Sequence, residues 1–172
     1  MGTPTQHSKE SAQVSRSLNA VKTQATDTVS SVADLKTTLA DEYLLLLKTQ
    51  NYHWNIEGPL FFSLHKLFEE QYKQLAEYVD RAAEVIRAMR TKAPGSFKEF
   101  NDLSSIQEAL ADKASSHQII ETLSQDHTNM AIALKARLED AEDAEETSAV
   151  VLYEDLIQFH EKAAWMIRSH RS

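Results

Sequence analysis

His53-Trp54-Asn55-Ile56-Glu57-Gly58-Pro59-Leu60-Phe61-Phe62-Ser63-Leu64-His65 sets a Gly-Pro stop between two long segments of helical period. Gly ends a helix by supplying left-handed backbone, and Pro opens the next because a first turn does not need its missing N–H. Upstream, Leu35, Leu39, Tyr43 and Leu46 recur at steps of four, four and three, and His53 lies seven residues further on the same stripe. A helix is therefore expected from an N-cap at Ser31 to about Glu57. Downstream, Phe61, His65, Phe68, Tyr72, Leu75, Val79, Ala83 and Ile86 predict a second helix from about Leu60 to about Arg90, ended by Ala93-Pro94-Gly95-Ser96.

From Ser96 to about Ala114 the chain makes one long connection, with a short helix expected around Phe97–Leu103. Ile119, Leu123, Met130, Leu134 and Leu138 mark a third long helix. Val150, Val151, Tyr153, Leu156, Ile157, Phe159, Ala163 and Ile167 mark a fourth, after a run from Glu139 to Glu146 that is acidic at six of eight positions. Two helical hairpins joined by one long connection give an all-α, ferritin-like four-helix bundle with a short helix between helices two and three. A cytokine-type bundle needs two long crossovers. The bundle domain is read as residues 31–172. Residues 1–30 hold ten Ser or Thr and no sustained apolar period, and are read as a flexible N-terminal tail.

Composition points the same way. Of 172 residues only 3 are Gly and 3 are Pro. That is roughly 3.5 % against about 12 % in average proteins, too few for the turns of a sandwich, barrel or Gly-rich nucleotide fold. Cys is absent, which removes disulfides, thiol catalysis and Cys-based zinc or iron–sulfur sites, and suits a cytoplasmic location. No apolar run approaches the roughly 20 residues of a membrane helix, and no apolar leader core opens the chain, so no membrane partner is expected. The net charge is −8, with +1 on residues 1–30 and −9 on the remainder. Such a chain repels polyanions overall, and DNA contact is left to local basic segments.

The chemistry must come from side chains in the bundle. A di-iron site inside such a bundle uses Glu-x-x-His on two helices, and none of the seven histidines has Glu three residues before it. A different constellation is present. His53 and His65 flank the Gly-Pro stop at matching levels of an antiparallel hairpin, so both rings can face one place. Asp80 and Glu84 form an i, i+4 carboxylate pair suited to a hard cation. Yet His65 and Asp80 are 15 residues apart, or about 22 Å on a straight helix. Metal–ligand bonds of about 2 Å cannot span that gap. Either the two pairs are unrelated, or a two-fold pairing of chains brings them together and makes two sites per pair. Imidazole with carboxylate suits Fe(II), and also Zn(II), Mn(II) or Co(II). Taken singly, each of these residues is more simply read as a core histidine or a solvated carboxylate.

The string His53-Trp54-Asn55, Gly58, Phe61-Phe62, His65, Glu69, Asp80, Glu84 resembles the Dps family of ferritin-like proteins, and the likeness extends over about residues 31–170, including His160-Glu161-Lys162-Ala163-Ala164-Trp165-Met166-Ile167-Arg168. The resemblance implies a homododecameric cage that stores ferric mineral. It implies a ferroxidase that oxidises Fe(II), preferentially with hydrogen peroxide, and so protects DNA from oxidative damage. It also implies a metal centre shared across a two-fold interface. His53, His65 and Glu69 would come from one subunit, and Asp80 and Glu84 from its mate. Many relatives carry Asp where this chain has Glu69. Trp54 matches the family's tryptophan beside the centre, a sink for stray oxidising equivalents or a packing residue.

The family's other role gives the alternative function, a nucleoid-associated protein that binds and compacts DNA without reading sequence. Here Lys9, Arg16 and Lys22 give the tail three cations and a net +1. Tail-mediated DNA binding is expected to be weak and salt-sensitive, or absent at physiological salt. Gel retardation at two salt concentrations, with and without residues 1–24, separates these readings.

Overall fold

The computed structural model describes the backbone of residues 6–109 and 114–171, and side chains from residue 31 onward. The described residues form five helices and no strand: α1 (Gln6–Asn55), α2 (Phe61–Ala88), α3 (Phe97–Leu103), α4 (Ser116–Asp143) and α5 (Thr147–Arg168). The short helix α3 falls where the sequence predicts it. Ser96 caps it by accepting from the Glu99 N–H, and Ser115 opens α4 with a capping box to Gln118. At the α1–α2 turn Gly58 takes φ +92°, the left-handed backbone that ends α1.

The start of α1 departs from expectation. Ser31 is not an N-cap but lies inside a helix that begins at Gln6. No Gly or Pro stands between Pro4 and Gly58, so nothing in the backbone interrupts the helix once formed. The expected tail covers residues 1–5 and the side chains of residues 6–30, which lie outside the described residues.

Polar contacts between helices fix the order of the bundle. Ser116 Oγ donates to Glu57 O at 3.1 Å, so α4 starts at the end of the bundle where α1 stops and α2 begins. The end of α2 and the start of α4 therefore lie at opposite ends of the bundle, and α2 and α4 point the same way. Arg81 meets Asp155 (2.7 Å) and Lys135 meets Glu161 (2.6 Å), which sets α5 antiparallel to both α2 and α4. Two buried side chains of α1 pin the long connection. The carboxylate of Asp41 accepts from Ser105 N (2.7 Å), Ser104 Oγ (2.9 Å), Ser105 Oγ (3.1 Å) and Arg137 Nη2 (3.1 Å). Lys48 donates to Gln107 O (2.9 Å) and pairs with Asp126 (2.7 Å).

The core is built from Leu35, Leu39, Leu45, Tyr52, Leu64, Phe68, Leu75, Ile86, Ile119, Leu123, Leu134, Tyr153, Leu156 and Ile167, among others. Its stripes are rotated slightly from the expected ones. Tyr43 is only half-buried and stacks on Phe100 of α3, with ring centroids 4.5 Å apart. Phe61 is 45 % exposed and Tyr72 is half-buried, while Leu64 and Gln71 are the buried positions instead. The face that carries Phe61, His65 and Tyr72 is left beside the candidate site. The acidic run forms the end of α4 and its turn into α5, where Glu145 takes φ +57°. Among the described residues no helix is long and apolar enough to cross a membrane.

Candidate metal centre

Two histidines meet across the α1–α2 turn. His53 is buried near the end of α1, and His65 is half-buried in the second turn of α2. Their rings stack with centroids 3.8 Å apart and planes 19° apart. His53 Nδ1 lies 2.8 Å from His65 O, and His65 Nδ1 lies 2.9 Å from His53 O. A carbonyl can only accept, so each Nδ1 carries the proton and donates it. In a neutral ring the proton on Nδ1 leaves Nε2 as a bare lone pair. The exchange also satisfies His53 O, one of the carbonyls at a helix end that lack an intrahelical donor. The turn thus presents two imidazoles side by side, each with Nδ1 engaged by a carbonyl and Nε2 left as the ring nitrogen open to a further partner.

The surroundings are aromatic and open. The Tyr72 ring stands edge-on to His53 at 5.2 Å, and the Phe61 ring lies 5.0 Å from His65. Trp54 is 63 % exposed and Phe62 is 75 % exposed on the same end of the hairpin. Glu69 stands one helical turn beyond His65. It is held between Lys73 (2.7 Å) and Lys66 (2.9 Å), and these bonds, Lys73's first, draw its carboxyl down to about 2. The lysine pair had no signal in the sequence beyond its spacing of three and four from Glu69.

Asp80 and Glu84 are exposed on the outer face of α2. Since α2 is continuous from Phe61 to Ala88, the separation of about 22 Å between His65 and Asp80 holds within one chain. Glu84 lines a shallow surface cleft with Arg81, Val85, Ala88 and Ser148. So the fold brings His53 and His65 together, with Glu69 one turn on, and keeps Asp80 and Glu84 apart from them. Among the described residues no three His, Asp or Glu side chains of one chain are grouped to hold a metal ion. The chain thus presents two separate donor pairs, imidazole nitrogens at the α1–α2 turn and carboxylate oxygens near the far end of α2.

Comparison with known proteins defines the class. The profile of the ferritin-like domain matches residues 32–172. A DNA protection during starvation protein 2 from Bacillus anthracis is 36 % identical over 131 residues, 76 % of this chain and 89 % of that one. A low temperature-induced protein of Nostoc is 37 % identical over 132 residues, 76 % of this chain and 74 % of its own. The crystal structure of Dps from Staphylococcus aureus superposes with a TM-score of 0.79 at 34 % identity, covering 83 % of this chain and 95 % of that one. The chain belongs to the Dps family of ferritin-like proteins.

Proposed function

We propose that this chain is the subunit of an iron-storing cage whose metal centres form between two-fold related copies. In each centre His53, His65 and Glu69 of one subunit face Asp80 and Glu84 of the partner subunit. The observation that carries this reading is the pair of histidines locked by each other's carbonyls. That arrangement leaves two adjacent Nε2 lone pairs that nothing in the fold uses. Exposed Trp54, Phe61 and Phe62 beside the rings give a second chain an apolar surface to cover. A covered centre would strengthen every electrostatic contact within it.

Two imidazoles and two or three carboxylates suit Fe(II), the substrate. The proposed reaction is the oxidation of two Fe(II) by one hydrogen peroxide: 2 Fe(II) + H2O2 + 2 H2O gives 2 FeO(OH) + 4 H+. The peroxide O–O bond breaks as it accepts both electrons, so no hydroxyl radical is released. The carboxylates hold the cations close together and neutralise their charge. The histidines fix position, because their tautomer is set before the metal arrives. Glu69 must exchange Lys66 and Lys73 for a cation, which makes the position it serves the weaker of the two. Trp54, at the rim, is placed to give up an electron to stray oxidant. Twelve such subunits enclosing the product would store iron and shield DNA from the same chemistry, in the cytoplasm and on the nucleoid only where DNA is bound.

The test is anaerobic loading of Fe(II) onto the metal-free protein, then hydrogen peroxide, with ferric absorbance followed in the near ultraviolet. Fast oxidation near one peroxide per two Fe(II) is expected, lost in the His53→Ala/Asp80→Ala variant. Oxidation no faster than that of free iron would overturn the reading.

A further inference from the structure

A second histidine pair lies where the proposed reaction does not reach it. Glu42 of α1, His160 of α5 and His127 of α4 are each 0 % exposed, in the middle of the bundle. His160 Nε2 lies 2.7 Å from Glu42 Oε1, and His160 Nδ1 lies 2.8 Å from His127 Nδ1. The chain of bonds ends at both sides in buried atoms without a partner, Glu42 Oε2 and His127 Nε2.

Counting protons shows what this arrangement tolerates. The contact between the two Nδ1 atoms holds one proton, carried by either ring. The contact between Nε2 and the carboxylate holds another. With a third on His127 Nε2 the assembly is neutral overall, either as carboxylate, imidazolium and imidazole or as carboxylic acid and two imidazoles. A fourth proton has no good place. On the rings it would set two N–H groups against each other at 2.8 Å. On the carboxylate it would leave a net positive charge in a dry core, where an unpaired charge is strongly disfavoured. The unfolded chain has no such restriction, and there both histidines protonate near pH 6.5.

We propose that Glu42, His160 and His127 form an acid-sensitive latch that joins α1, α4 and α5 at neutral pH and releases them on acidification.

Neighbouring charges do not relieve the excess. On α1, Asp41 is occupied by Arg137, Ser104 and Ser105, and Lys48 by Asp126. On α4, Asp126 adjoins His127 in sequence but faces Lys48. From α2, Tyr78 packs on Phe159 at 5.2 Å, and its hydroxyl stays neutral, pushed above its ordinary range by burial and then by Asp155. On α5, Asp155 pairs with Arg81 and Glu161 with Lys135, both away from the core. α3 packs on the Tyr43 side of α1. Burial, and then the neighbouring His160, hold His127 well below the usual histidine range.

The sign follows directly. Below pH 6.5 the unfolded chain binds one more proton at His127 than the folded chain, so stability falls as pH falls. For one such group the unfolding constant rises about 25-fold from pH 7 to pH 5. The experiment is equilibrium unfolding of the full-length chain in urea at pH 7 and pH 5, at one protein concentration, for the wild type and His127→Leu. The wild type is expected to lose about 25-fold more stability on acidification than the variant. An equal loss in both would overturn the proposal. If His127→Leu does not fold, amide exchange in the wild type decides, after correction for intrinsic rates. Opening of the segments around His127 and His160 is expected to rise about sixfold from pH 7 to pH 5, because the proton held between His160 and Glu42 offsets part of the His127 effect. Unchanged opening there would overturn the proposal equally.

Discussion

A chain carrying His53→Ala and His65→Ala retains only the carboxylate half of the proposed centre. A chain carrying Asp80→Ala and Glu84→Ala retains only the nitrogen half. Because α2 holds His65 and Asp80 about 22 Å apart, neither chain can complete a centre with another copy of itself. The two variants unfolded together in equal amounts and reassembled should behave differently. About half of the two-fold pairs are then mixed, and each mixed pair has one centre with both halves intact and one with neither. Metal binding should therefore return to about a quarter of the wild-type stoichiometry. Co(II) or Zn(II) titration by calorimetry measures this, with wild-type protein taken through the same cycle as the reference. A mixture that binds no more than the separate variants would refute the shared centre. So would either variant alone keeping about half of the wild-type sites, since the two halves would then be separate sites within one chain.

Two further outcomes concern the scaffold. Asp41→Ala strands four donors at once, among them Arg137, which is 13 % exposed. It should destabilise the chain by about 3–5 kcal/mol in urea unfolding, with Asp41→Asn, which keeps an acceptor, losing less. Gly58→Ala meets no atom within 4 Å but must adopt φ +92°, so its loss is backbone strain alone. About 1–2 kcal/mol is expected by thermal unfolding, with the fold unchanged by circular dichroism.

Much of the fold was legible because breakers are so scarce. Gly58-Pro59 and Pro94-Gly95 each mark a true boundary, and the predicted span of α3 matches the observed one. The same rule, applied consistently, would have carried α1 back toward Gln6. The polar composition of residues 6–30 argued otherwise, although polarity alone does not stop a helix that lacks Gly and Pro. The histidine pair was legible as a juxtaposition, from the equal distances of His53 and His65 to the turn. Its reciprocal carbonyl bonds were not, because they depend on how closely two helix ends approach. The buried polar chain was harder still. Glu42 looks like an ordinary surface acid beside Asp41. Only its place three residues after Leu39 and three before Leu45, both fully buried, sets it toward the core. His127 and His160 lie 33 residues apart, and nothing local signals that their rings meet.

The clasp at Asp41 also has a consequence in time. Its donors stand 63, 64 and 96 residues further along the chain, whereas the α1–α2 and α4–α5 hairpins close over short turns. Closing long loops before their contacts can repay them slows early formation, so the hairpins assemble first and the clasp shuts last. Contacts made after the rate-limiting barrier govern how fast a protein comes apart, not how fast it comes together. Asp41 thereby acts as a kinetic bolt: its loss should shorten the lifetime of the folded chain while leaving the speed of folding nearly untouched.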